Sequence, residues 1–290
     1  MKTIYRSDNL RKFKFCILSL FAFLFLSFGV SAKDQTVMDI VMATDNNYVY
    51  PTLVSMTSIV ENKKEDSYPK FHLMLSGSIS DENKQRFEKF EKIYGNQNCS
   101  VELIDMKDKF KDAYRSRWEI AMYYRLLIPN LLSDCKKALY LDGDTISTKD
   151  LQDLYNIDIS NYYTAGCIDF DTYLLRSGYE KILNIPDRNQ YINSGVLLLN
   201  LNDIRKDNIE QKMIDLVPQA KDKKFRFPDQ DIINSICYGK IKIIDPKYNA
   251  MTHQFNKYNF NLSKIKQQLN DLQISYNDPT IIHYTGGKPW

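Results

Sequence analysis

The stretch Lys137-Ala138-Leu139-Tyr140-Leu141-Asp142-Gly143-Asp144-Thr145-Ile146 decides the reading of this chain. Its apolar run from Leu139 to Leu141 reads as a short buried strand. The run ends in two carboxylates one residue apart. In open α/β sheets, ligands bind beyond the carboxyl ends of the strands. Asp142 and Asp144 therefore mark where a site is expected. Carboxylates at i and i+2, with the small Gly143 between them, can converge on one hard divalent cation. Oxygen ligands suit Mg²⁺ or Mn²⁺. An isolated Asp-X-Asp is more often an acidic turn that caps the next helix. Here the motif follows a strand, and matching pieces lie elsewhere in the chain.

Upstream, residues 38–44 read as a first buried strand, followed by the polar loop Asp45-Asn46-Asn47-Tyr48 and a helix opened by Tyr50-Pro51. Residues 71–76 form a second strand and residues 100–105 a third. Between them, residues 80–94 form an amphipathic helix marked by Phe87, Phe90 and Ile93. This β-α-β-α-β order implies a parallel sheet with right-handed crossovers. No G-x-G-x-x-G follows the first strand and no Walker A sequence occurs, so neither phosphate-binding fingerprint is present. Residues 117–132 read as a helix with Trp118, Ile120, Ala121, Tyr124, Leu127 and Ile128 on its apolar side, closed or kinked by Pro129. Arg125, the one cation in that part, either snorkels to the surface or reaches in towards phosphate.

Downstream, residues 165–169 are a candidate strand. In residues 191–200, a polar Asn193-Ser194-Gly195 bend enters an unbroken apolar strand that must be central. Gly195 permits close approach of backbone to a ligand. Residues 203–217 read as a helix, and Pro228-Asp229-Gln230-Asp231 opens another. Asp229 and Asp231 can serve there simply as first-turn charge and capping. Residues 241–244 are a late strand, and the polar residues 253–277 read as a surface loop and helix. A β-branched strand then delivers His283 into Tyr284-Thr285-Gly286-Gly287-Lys288. An imidazole nitrogen can complete a metal shell. A Gly-Gly-Lys loop can wrap a phosphate with backbone N–H groups and a point charge.

The chain has 290 residues, which fits one large α/β domain or two small ones. Its net charge of +3 is unevenly placed. Residues 1–32 hold five basic residues and one acid, leaving 34 basic and 35 acidic residues in the remainder, a net of −1. The rest of the chain thus gives no support to nucleic-acid binding. Residues 1–32 carry a basic start, an apolar run from Phe15 to Phe28 and the small-residue stretch Gly29-Val30-Ser31-Ala32. This is the pattern of a cleaved signal peptide. An uncleaved N-terminal anchor is a second reading. Translation from Met38, giving a cytoplasmic protein, is a third. Beyond Cys16 there are four cysteines, none in a C-x-x-C pair, which argues against zinc and for unpaired thiols. Asn98-Cys99-Ser100 and Asn261-Leu262-Ser263 match the N-glycosylation pattern.

Six pieces in order resemble glycosyltransferase family 8, which includes bacterial lipopolysaccharide galactosyl- and glucosyltransferases and glycogenin. They are Ala43-Thr44-Asp45-Asn46-Asn47-Tyr48, residues 124–129, Leu139-Tyr140-Leu141-Asp142-Gly143-Asp144, residues 193–200, Asp229-Gln230-Asp231 and residues 283–290. The resemblance covers residues 38–290, so residues 33–290 are expected to form one catalytic domain. It implies an α/β GT-A (Rossmann-like) fold with a mostly parallel central sheet flanked by helices. It also implies a UDP-sugar donor (UDP-glucose or UDP-galactose), Mn²⁺ or Mg²⁺, and retention at the anomeric carbon. By matching position, Asp142, Asp144 and His283 would hold the metal. Ala43, Asp45, Asn47 and Tyr48 would line the uridine pocket. Gly286 and Lys288 would hold the diphosphate, with Arg125 nearby. Asn193, Asp229 and Gln230 would face the donor sugar. Against the family pattern the loop from His283 to Lys288 is one residue shorter, and the basic, aromatic tail by which some family members sit on membranes is not expected here. Any membrane attachment is therefore expected through the N-terminus.

The resemblance implies transfer of a hexose to a glycan or lipopolysaccharide-type acceptor. Two rivals stand beside it. A haloacid-dehalogenase-type phosphatase also ends an apolar strand in Asp-X-Asp, but there the pair lies near the chain start and Gly-Thr or Gly-Val follows. A secreted protein that binds glycans or nucleotide sugars without turnover is the other, favoured by the signal pattern.

Overall fold

The computed structural model describes residues 35–77, 79–96, 98–114, 119–169, 178–255 and 276–290. The N-terminal segment 1–32, Trp118, Asn261 and most of the expected surface region 253–277 lie outside the described residues. Thr36–Trp290 forms one unit. Among the described residues no helix is long and apolar enough to cross a membrane.

The chain opens with the expected alternation: β1 (Thr36–Thr44), α1 (Val49–Glu61), β2 (Ser67–Leu75), α2 (Asp81–Tyr94) and β3 (Ser100–Asp105). α2 starts where the sequence says it should. Ser80 accepts a hydrogen bond from the Asn83 backbone N–H, and Asp81 and Glu82 place negative charge at the helix's positive end. Phe87 and Phe90 are buried as expected, but Ile93 is 64% exposed. The apolar stripe of α2 is therefore narrower than its sequence suggests.

The remaining strands are β4 (Lys137–Leu141), β5 (Thr145–Ser147), β6 (Thr164–Gly166), β7 (Val196–Asn200), β8 (Ile241–Ile243), β9 (Ala250–Met251) and β10 (Ile281–His283). One sheet has the order β3-β2-β1-β4-β7-β6-β8. β1 pairs in parallel with β2 and β4, β2 with β3, and β6 with β8. β7 runs antiparallel to both of its neighbours. It is central, as its unbroken Val196-Leu197-Leu198-Leu199 run requires: those four residues are buried.

Two helices differ from expectation. Residues 120–127 wind as a 3-10 segment, and only Ile128–Leu131 is α-helical, with Pro129 in its first turn, where a missing N–H costs nothing. The expected helix 203–217 is split into α3 (Leu201–Lys206) and α4 (Ile209–Leu216) by Asn208, whose φ of 54° is left-handed. A further helix, α5, spans Pro228–Cys237. Cys99, Cys135, Cys167 and Cys237 are all unpaired.

A second sheet, β5-β10-β9, was not anticipated. β10 lies antiparallel to β5 with His283 opposite Thr145, the residue that follows Asp144. The Tyr284 N–H then donates to the Asp144 carbonyl at 2.9 Å. This small sheet carries the end of the chain back to the carboxylates, nearly 140 residues away in sequence.

Candidate active site

Asp142 and Asp144 follow β4 at its C-terminal end, where β1 and β4 run in parallel. Asp142 is held from several sides. Its backbone N–H donates to the Gly195 carbonyl (2.8 Å), the Tyr140 hydroxyl donates to its Oδ1 (2.8 Å), and Arg125 donates to the same oxygen (2.9 Å). Thr145 Oγ1 donates to the Asp142 carbonyl (2.9 Å) and closes the turn. Gly143 is required by packing, because a Cβ there would meet Thr52 Oγ1 at 2.5 Å.

His283 Nε2 lies 3.2 Å from Asp144 Oδ1 and 3.6 Å from Asp142 Oδ2. Its other ring nitrogen, Nδ1, is 2.9 Å from Asn249 Oδ1. Asn249 Nδ2 donates to Asn193 Oδ1 (2.9 Å), so its oxygen is the end that faces the imidazole. Nδ1 therefore carries a hydrogen, and Nε2 is the nitrogen that faces the two carboxylates. Metal-ligating histidines are oriented in this way by a partner on the far nitrogen. Ligand atoms of Asp142, Asp144 and His283 all lie within 4.8 Å of one another. Two carboxylates and an imidazole suit a divalent cation.

Gly195 holds this group together by having no side chain. A Cβ there would fall 2.2 Å from His283 Cε1 and 2.6 Å from Asp142 Oδ2. The close approach expected at Gly195 is thus made by the candidate ligands themselves. Asp144 is buried, which raises its pKa, but His283 and Lys288 outweigh that and hold its carboxyl well below the usual range. Lys288 forms an ion pair with Asp144 and also donates to the Tyr284 carbonyl. Gly286 has a φ of +84°, which favours glycine in the turn that returns Lys288.

Arg125 departs from the sequence expectation. It neither snorkels nor faces outward for a diphosphate. Its guanidinium is buried, stacks 4.4 Å from the Tyr140 ring centroid and is 3.2 Å from Asp229 Oδ2. It donates to the Met122 carbonyl (3.0 Å), the Ser194 carbonyl (2.6 Å) and Asp142. It lies between two acids, Asp142 and Asp229. Asp229 is buried, and burial raises its pKa; Arg125 opposes the rise and Asp142 adds to it.

Gln230 is fixed at both ends of its amide. Oε1 accepts from Asn193 Nδ2 (3.2 Å) and the Ser194 N–H (3.0 Å), while Nε2 donates to Asp169 Oδ2 (2.9 Å) and the Tyr191 hydroxyl (3.0 Å). Asn193, Asp229 and Gln230 are thus brought together, as the sequence placed them. Asp231 is not part of that group. It is fully buried and accepts from Tyr179 and Tyr191 hydroxyls and from the Arg226 and Phe227 N–H groups, so it ties down the start of α5.

The loop after β1 forms an Asx turn. Asp45 Oδ1 accepts from the backbone N–H of Asn47 (2.8 Å) and Tyr48 (3.0 Å). Asp45 and Asn47 line a cleft of about 460 Å³ with Ser76, Lys109, Ala121 and Tyr124. Ala43 ends up at the β1 end of this region, half-buried against the core. Tyr48 joins the cleft side to the carboxylates: its hydroxyl pKa is raised by burial first and by Asp144 second.

Ser194, Asn249 and Asp169 escaped the sequence reading. Ser194 stood inside a quoted motif, and Asp169 at the end of a quoted strand. Asn249 belongs to no pattern, and only the pairing of β10 with β9 places it behind His283.

Residues 39–290 match the family model described as Glycosyl transferase family 8. A "Putative glycosyltransferase" of Haemophilus influenzae is 32% identical over 73% of this chain, which spans 63% of that relative's length. A "Lipopolysaccharide 1,2-glucosyltransferase" of Escherichia coli is 29% identical, covering 90% of this chain and 75% of its own. The galactosyltransferase LgtC, solved with donor and acceptor sugar analogs, superposes with a TM-score of 0.72 at 26% identity, covering 87% of this chain and 89% of its own. The shared architecture is GT-A, and these matches lend no support to the phosphatase reading. With its family model spanning nearly all of the folded unit, this chain belongs to glycosyltransferase family 8.

Proposed function

We propose that this protein is a metal-dependent, retaining hexosyltransferase that moves glucose or galactose from a UDP-sugar to a glycan acceptor of the lipopolysaccharide type. The observation that carries this reading is the convergence of Asp142, Asp144 and His283 Nε2, oriented by Asn249 and spaced by Gly195. The relatives named as lipopolysaccharide glucosyl- and galactosyltransferases support the hexose and the acceptor class.

Mn²⁺ or Mg²⁺ bound at these residues supplies a Lewis acid for the diphosphate. Lys288, on the Gly286 turn, adds positive charge where the leaving group becomes negative. Ala43, Asp45, Asn47 and Tyr48 take the uridine, in and beside the 460 Å³ cleft. Asp229, fixed by Arg125 and Ser194, stabilises positive character on the sugar. Gln230 and Asn193 orient the sugar. The Gln230 carbonyl already accepts two hydrogen bonds, which suits orientation rather than attack. Retention then follows by front-face displacement. The acceptor oxygen bonds to the anomeric carbon as the sugar–phosphate bond breaks, and the leaving phosphate oxygen takes the acceptor's proton.

The proposal includes delivery by residues 1–32 to the secretory pathway or periplasmic side, or anchoring through them. N-terminal sequencing separates cleavage from anchoring. The activity is tested by titrating UDP calorimetrically into the full-length chain with and without Mn²⁺, then into Asp144→Ala. Binding that needs Mn²⁺ and vanishes in the variant is expected. UDP binding of equal strength in every arm, or none in any, would sink the proposal. Mn²⁺-dependent binding with no hydrolysis of any UDP-hexose would favour the non-catalytic binder.

A further inference from the structure

A second group of metal-competent side chains lies away from the active site. Asp39 on β1, His72 on β2 and Cys135 just before β4 bring a carboxylate oxygen, an imidazole nitrogen and a sulfur within 4.8 Å of one another. Asp39 is the fourth residue of β1 and Cys135 precedes β4, so the group lies towards the opposite end of these parallel strands from Asp142.

We propose that Asp39, His72 and Cys135 form a separate site for a borderline-soft divalent cation of the zinc class. The donor chemistry makes the first argument. Sulfur with imidazole and one carboxylate suits Zn²⁺ over Mg²⁺ or Mn²⁺, the reverse of the oxygen-rich group at Asp142 and Asp144. The second argument is orientation. His72 Nδ1 lies 2.7 Å from Glu102 Oε2, which leaves Nε2 facing Asp39 Oδ1 at 2.9 Å. A carboxylate behind a histidine, with its other nitrogen turned to the remaining donors, is the outer arrangement found around zinc. The third is rigidity combined with access. His72 is 1% exposed in the middle of a paired strand, whereas Asp39 and Cys135 are only half-buried. An ion can therefore enter, and a water can take the fourth position.

The distances set what binding requires. A tetrahedral shell with bonds of about 2.0–2.3 Å spaces its ligand atoms about 3.3–3.6 Å apart. The 2.9 Å contact between His72 and Asp39 opens by about half an ångström to admit the ion. A rotation of the half-exposed Asp39 carboxylate supplies that. The occupied site would cross-link β1, β2 and the turn into β4, the strands on which the catalytic loops are mounted. The missing C-x-x-C pair is no obstacle, because the ligands come from three separate segments.

Cobalt is the probe, because it replaces zinc and reports bound thiolate. Metal-stripped full-length protein is titrated with Co²⁺ and followed in the near ultraviolet. A thiolate-to-cobalt charge-transfer band saturating at one equivalent is expected. It should be abolished in Cys135→Ser, displaced by Zn²⁺ and retained in Asp144→Ala, where the oxygen-rich group is broken. Should Cys135→Ser fail to fold, Asp39→Asn serves instead, with a weakened and shifted band expected. The proposal is overturned by the absence of a band in the wild-type protein. It is equally overturned by a band that survives Cys135→Ser, or Asp39→Asn in its place, unchanged.

Discussion

Replacing Gly195 with alanine tests the geometry of the candidate metal group most sharply. The added methyl would fall 2.2 Å from His283 Cε1 and 2.6 Å from Asp142 Oδ2. Carbon atoms in contact prefer about 3.5–4.0 Å, so the ring or the strand must give by about 1.3 Å or more. Neither side is free to do so. His283 is tied to Asn249 at 2.9 Å, and the Gly195 carbonyl accepts the Asp142 N–H at 2.8 Å. Overpacking of this kind costs about 1–3 kcal/mol. For a unit of this size, each kcal/mol corresponds to about 2–4 °C in Tm, so a fall of roughly 2–12 °C is expected by calorimetry. Mn²⁺ affinity should fall more steeply than stability suggests. Mutating a group that merely orients a metal ligand already costs about 10–100-fold, and here the ligand itself is displaced. An alanine variant that binds Mn²⁺ within about twofold of wild type, with Tm unchanged, would refute the close approach of His283 to Gly195 on which the site is built.

Two further predictions follow from buried polar groups. Asn249→Ala removes the acceptor for His283 Nδ1 and the donor to Asn193, so Mn²⁺ affinity should drop by about 10–100-fold; unchanged affinity in calorimetric titration would show that His283 is oriented by something else. Glu210 is almost fully buried, and burial pushes its pKa up to about 7 despite hydrogen bonds from the Asn130 N–H and Nδ2. Because the folded value lies above the unfolded one, this group's contribution to stability is fully present below about pH 4.5 and is lost as pH rises through about 7. The urea midpoint of wild type relative to Glu210→Gln should therefore decline from pH 5 to pH 8, and parallel profiles would contradict it.

Much of the candidate site could be located in the chain because its parts are short and local. Leu139-Tyr140-Leu141 followed by Asp142-Gly143-Asp144 is a strand and its exit, and the position of ligands at strand ends follows from the fold class. Asn193-Ser194-Gly195 before Val196 could be read for the same reason: a polar bend, a glycine and a run too apolar for anything but a central strand. The sequence likewise announced α2 through Ser80 and its first-turn acids. What it misjudged depended on packing from afar. Arg125 looked like a free cation because it is the one cation in an apolar stretch. Its partners, Asp142, Ser194 and Asp229, come from three other segments.

The sequence by itself determined the layered α/β class, the strand that ends in carboxylates and the inventory of groups able to hold a cation. Each of these rests on periodicity or on neighbours within a few residues. Only the tertiary structure decided which groups meet. The antiparallel pairing of β10 with β5 sets His283 opposite Thr145, and the parallel pairing with β9 brings Asn249 behind it. The antiparallel insertion of β7 between β4 and β6 brings Gly195 against His283 and Asp142. Register between strands distant in sequence is set by hydrogen bonding and burial across the whole sheet, and no local pattern encodes it.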